Sequence, residues 1–100
     1  MMAIKLQRSS GNVFRDLGFA PAEAANLRIR SSLMMQVRQL MKERHLTQVA
    51  AAHLFGVSQP RLSDLVRGKI DLFSIDALVK MLARAGVAVT VSIRPQSRVA

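Results

Sequence analysis

Residues 46–68 read LTQVAAAHLFGVSQPRLSDLVRG, and the order of residue types in this stretch decides the fold. Thr47 carries the short oxygen-bearing side chain that satisfies free N–H groups at a helix start, so it predicts an N-cap for a short helix from Gln48 to Phe55. Gly56 follows, the residue that adopts the left-handed backbone of a sharp stop without steric cost. Ser58 repeats the capping signal, residues 59–67 form a second short helix, and Gly68 ends it. Val57, Leu62, Leu65 and Val66 are the apolar positions that lock this second helix to a core, and Ala52 is small where the two helices cross. Gln59, Pro60, Arg61, Ser63, Asp64 and Arg67 are left for its outer face.

Upstream, residues 22–44 repeat the pattern at larger scale. Leu27, Leu33, Met34, Val37, Leu40 and Met41 recur at helical spacing among Arg, Lys, Gln and Glu, which predicts one long amphipathic helix opened by Pro21 and allowed to bend at Ser31-Ser32. Further upstream, Asn12 is placed to cap a single turn through Val13, Phe14 and Leu17 that Gly18 ends. Downstream, Ser74 caps a helix through Ile75, Leu78, Val79 and Leu82 that stops at Gly86. Residues 87–94, VAVTVSIR, then alternate β-branched apolar residues with small or polar ones, the period of a strand with one buried face, and Pro95 ends it. A lone strand cannot satisfy its own backbone. The simpler partner is a second copy of the chain, antiparallel across a two-fold axis; the alternative is the weak alternation at Ile4 and Leu6 in the N-terminal arm, as a hairpin-like pairing within the chain. The expected organisation is a flexible arm over 1–12, a helical domain over 13–86, a dimerisation strand over 87–94 and a flexible tail over 95–100.

The chain has 100 residues, enough for one modest core, and its fifteen Lys and Arg against six Asp and Glu leave a formal charge of +9. That field favours a polyanionic partner. No apolar run approaches the roughly 20 residues that span a bilayer, and the N-terminus lacks a signal-peptide core, so no membrane association and a cytoplasmic location are expected. Cysteine is absent and His45 and His53 are the only histidines, which argues against disulfides and against a metal site. There is no nucleophile–base pair and no phosphate-cradling glycine loop. The expectation is a protein that is not an enzyme and takes no cofactor.

Short helix, glycine turn and capped helix make the geometry of a DNA reading head: the first helix crosses the backbone and the second enters the major groove N-terminus first. A glycine between two short helices also occurs in helical proteins that never meet DNA, but here it coincides with a polar outer face and a high positive charge. Thr47-Gln48, Ala51-Ala52, Gly56-Val57-Ser58-Gln59, Leu62-Ser63 and Arg67-Gly68 resemble the helix-turn-helix family of the lambda and Cro repressors, the XRE family. Ser10-Gly11-Asn12-Val13-Phe14, Asp16-Leu17-Gly18, Ser58-Gln59-Pro60-Arg61-Leu62-Ser63-Asp64-Leu65, Gly68-Lys69 and Phe73-Ser74 resemble, more narrowly, its small single-domain members, many of them HigA-like antitoxins beside a toxin gene. The similarity runs over 11–93, with Ala50 standing where that subgroup often has Glu. It implies a mainly α, lambda-repressor-like helix-turn-helix bundle of about five helices with one C-terminal strand used for dimer pairing. It further implies autorepression and a cognate toxin as a second protein partner, and the two-fold pairing of the C-terminal strand makes the expected form a homodimer on a two-fold operator. A solitary repressor, or a protein-interaction module with weak DNA binding, is the competing expectation.

Within the reading head, Gln59 and Arg61 carry the donor patterns that pair bidentately with adenine and guanine, against the simpler reading in which Arg61 touches phosphate. Pro60 is placed to pack on a thymine methyl, and Asp64 either accepts from a cytosine amino group or orients Arg61 or Arg67. Gln48, Ser58 and Ser63 suit phosphate oxygens, as do Arg67 and Lys69, for which a solvated positive face is an equal account. Val87, Val89, Val91 and Ile93 form the expected dimerisation set. Met34 and Met35 together mark either core or contact with a partner helix.

Overall fold

A computed structural model describes residues 2–6, 18, 20–93 and 95. Strand β1 (Met2–Leu6) is followed by helices α1 (Pro21–Glu43), α2 (Gln48–Phe55) and α3 (Gln59–Val66), a 3-10 turn (Ile70–Leu72), helix α4 (Ile75–Arg84) and strand β2 (Val87–Val91). Among the described residues there are thus four α-helices where about five were expected, and the turn proposed after Asn12 lies outside them.

The predicted punctuation is what the backbone uses. The hydroxyls of Thr47, Ser58 and Ser74 accept from the N–H groups of Ala50, Arg61 and Ala77 at 3.1, 3.3 and 3.1 Å, each satisfying one free donor of its helix. Pro21 opens α1, whose N-cap, Ala20, offers no side-chain bond. Gly56 closes α2 at φ +70°, and a Cβ built there would overlap the side chain of Arg84, which lies across the turn from the end of α4. The left-handed backbone is what calls for glycine at this position, since the exposed Arg84 side chain is flexible and can move aside.

The four helices share one core. Leu33, Met34, Val37 and Leu40 of α1 meet Ala51, Ala52 and Phe55 of α2, Leu62 and Leu65 of α3, Phe73, and Leu78, Met81, Leu82 and Ala85 at the end of the domain. Ala51 and Ala52 are buried to 0 and 4 % exposure, so α2 contributes almost no side-chain bulk between its neighbours and lets them approach. Phe55 and Phe73 fill the space that the small residues leave.

Strand β2 departs from its simplest expected partner. It pairs in parallel with β1 of the same chain, with Met2 opposite Val87, Ile4 opposite Val89 and Leu6 opposite Val91. The N-terminal arm, expected to be flexible over 1–12, therefore contributes a strand, and the pairing is a parallel crossover spanning the helical domain rather than a hairpin. The reason is the unpaired backbone of β2: a strand already in the chain satisfies one edge. The expected dimerisation set is divided by the same arrangement. Val87 is buried in the core, Val89 packs against it, and Val91 and Ile93 are 65 and 92 % exposed.

Candidate nucleic-acid interface

The burial of Leu62 and Leu65 fixes how α3 is rotated. Successive residues turn by roughly 100° about a helix axis, so the direction opposite these two leucines lies between Pro60 and Ser63, with Arg67 one turn further on. Gln59, Pro60 and Arg67 are exposed, and Ser63 and Asp64 are half-buried at the shoulders. Pro60 occupies the first turn, where its missing N–H costs no intrahelical bond. The outer face is therefore polar and carries no large apolar side chain.

Gln48 opens α2 and is exposed beside its cap Thr47, and Ser58 is exposed at the start of α3. Because the Ser58 hydroxyl accepts from Arg61 N–H, its proton remains free to be donated outward to an anionic oxygen. The cap and the phosphate role expected for Ser58 are compatible in one side chain. Val49, between Gln48 and Ala50, is 60 % exposed, so the middle of α2 presents apolar and methyl surface rather than donors.

Two of the residues expected on the reading face are engaged elsewhere. The Arg61 guanidinium lies 4.4 Å from the centroid of the Phe73 ring and donates through Nη1 to the Leu72 carbonyl at 3.1 Å. Asp64 pairs with Lys69 at 3.5 Å, neither with Arg61 nor with Arg67. Both contacts run from α3 to the segment 69–73, which Arg30 of α1 also holds by donating to the Ile70 carbonyl at 3.2 Å. Sequence reasoning missed these contacts, because residues 61 and 72 and residues 30 and 70 are related only by the fold.

A shallow groove between α1 and the end of α3 is lined by Ser31, Met34, Met35, Arg38, Leu65, Gly68 and Ile70. Arg38 and the glycine that follows α3 both line it. Met34 and Met35, adjacent in sequence, separate here: Met34 is core at 5 % exposure and Met35 is 64 % exposed. His45 and His53 are both exposed. Among the described residues, no helix is long and apolar enough to cross a membrane, and no group of three or more His, Asp or Glu is placed to hold a metal.

Residues 13–94 match the family model described as a helix-turn-helix domain. A solved structure named "Putative XRE Family Transcriptional Regulator" superposes with a TM-score of 0.70 at 30 % identity, over 78 % of this chain and 90 % of that one. No curated protein matches. The capped helices, the glycine turn between them and these two likenesses place the chain in the XRE helix-turn-helix family.

Proposed function

We propose that this member of the XRE helix-turn-helix family is a sequence-specific, double-stranded DNA-binding transcriptional regulator that acts as a homodimer on a two-fold operator. One observation carries the reading: Gln59, Pro60 and Arg67 stand exposed on the outer side of α3, beyond a core that grips the helix by Leu62 and Leu65. A helix so held can enter a major groove without rearranging the domain. Gln59 and Pro60 face base edges, while Asp64, a turn behind, is held by Lys69. Gln48, Ser58, Ser63, Arg67 and Lys69 contact the flanking phosphates, and the formal charge of +9 supplies the attraction that is common to all sequences.

The resemblance to small antitoxins supports a narrower role, autorepression beside a toxin that the protein also binds. A cytoplasmic site of action follows from that role. Two measurements separate the levels. Titration of the protein against its own promoter fragment and an unrelated duplex at two salt concentrations should show tighter promoter binding, with both affinities falling steeply as salt rises. Equal affinity for the two duplexes would refute sequence-specific regulation. Co-expression with the product of the adjacent gene should yield a stable complex if the antitoxin role is right, and two separately eluting proteins would leave a solitary regulator as the function.

A further inference from the structure

Arg61 is the residue of α3 whose sequence suggests base recognition and whose half-buried side chain is engaged by the protein itself. Its guanidinium covers the ring of Phe73, itself 1 % exposed, and bonds the Leu72 carbonyl. Position 61 lies on the flank of α3, turned away from the direction opposite Leu62 and Leu65 and toward the 3-10 turn. The contacts are of a kind that holds. A guanidinium stacked on an aromatic face keeps its charge while shedding water from one side, and a charge-assisted bond satisfies a carbonyl that a short 3-10 turn leaves without a helical partner. The Asp64–Lys69 pair ties the next turn of α3 to the same segment, and Arg30 fastens that segment to α1.

We propose that Arg61 is a positioning residue: it fixes the tilt of α3 against the 69–73 segment, so that Gln59 and Pro60 meet base edges in register, and it reads no base itself. The proposal rests on the DNA-binding reading above. On this account specificity depends on Arg61 through geometry. Its loss lets the helix rock, which weakens the specific complex while each base pair keeps its order of preference.

The test uses the full-length protein and the duplex that wild type enriches from a randomised double-stranded library. Dissociation constants are measured for that duplex, for each of its single-base-pair variants and for an unrelated duplex, with wild type, Arg61→Ala, Arg61→Lys, Phe73→Leu and the Arg61→Ala/Phe73→Leu double variant. Arg61→Ala should weaken the enriched duplex about tenfold, the order of one lost charge-assisted, stacked contact, and leave the unrelated duplex unchanged. The ranking of bases at every position should persist. Phe73→Leu should have a similar effect, the double variant should be little worse than either single one, and Arg61→Lys should recover part of the loss because an ammonium still stacks on the ring. Loss of preference at one base pair in Arg61→Ala, kept in Phe73→Leu, would make Arg61 a base reader and overturn the proposal. Equal weakening on both duplexes would make it a phosphate contact and overturn it too, as would wild-type behaviour in Arg61→Ala. Failure of wild type to enrich any sequence would instead refute the DNA-binding reading, and the proposal with it.

Discussion

His45 ends α1 at φ +53°, the left-handed conformation that usually falls to glycine. The N–H of Leu46 bonds the Met41 carbonyl at 2.9 Å and that of His45 bonds the Lys42 carbonyl at 3.2 Å, so the two carbonyls are satisfied by a helix stop that His45 adopts under strain. An L-residue there costs about 1–2 kcal/mol, and glycine gives back about 0.5–1 kcal/mol through its freer unfolded chain. His45→Gly should therefore raise stability by about 0.5 kcal/mol, seen as a higher urea midpoint with an unchanged slope. A lower midpoint would show that the imidazole makes contacts worth more than the strain. Arg61 teaches a related lesson at the same scale: its chemistry was legible in the sequence, but its neighbour was not, because Phe73 reaches it only through the fold.

At the scale of elements, the helix boundaries were the most legible feature. Thr47, Ser58 and Ser74 act on N–H groups three residues away, so their consequences are local and survive translation from sequence to structure. Their functional weights should differ. Ser74→Ala removes a cap on α4, far along the chain from the reading head, and should cost about 1 kcal/mol of stability while leaving DNA affinity unchanged below the unfolding transition. Ser58→Ala should cost a similar amount and also weaken binding about fivefold, since it removes a phosphate donor as well as a cap. Urea unfolding and fluorescence anisotropy on the same preparations check both, and equal affinities in the two variants would remove Ser58 from the interface. The 3-10 turn at Ile70–Leu72 is not legible in the sequence, because no capping residue or apolar period marks a turn held by Arg30 and Arg61 from outside.

The whole molecule poses the question of assembly. The sheet of one chain has the order β1–β2, so β2 is still an edge strand after pairing with β1, and Val91 at its end and Ile93 just after it are exposed. Antiparallel pairing of two such edges across a two-fold axis would build a continuous four-stranded sheet and bury those side chains. If the proposed homodimer forms through this edge, the paired substitution Val91→Lys with Ile93→Lys should convert it to a monomer in sedimentation and weaken binding to the proposed operator by about a hundredfold, as two half-sites cease to be held together. Stability of the helical domain should be nearly unchanged, because Val87 and Val89 keep their places on the core. A variant that remains dimeric would move the interface elsewhere, with the α1 face that exposes Met35 as the next candidate.

Capping residues, left-handed glycines and apolar spacing act between residues a few positions apart, which is why the four helices, their stops and the polar outer face of α3 were determined by the sequence alone. Partners separated by tens of residues were decided only by the tertiary structure. Ile4 meets Val89, Arg30 meets Ile70, and Arg61 turns from solvent to Phe73, each because packing of the shared core brings two separate segments to one place where an unpaired strand edge, a turn carbonyl or an aromatic face is waiting.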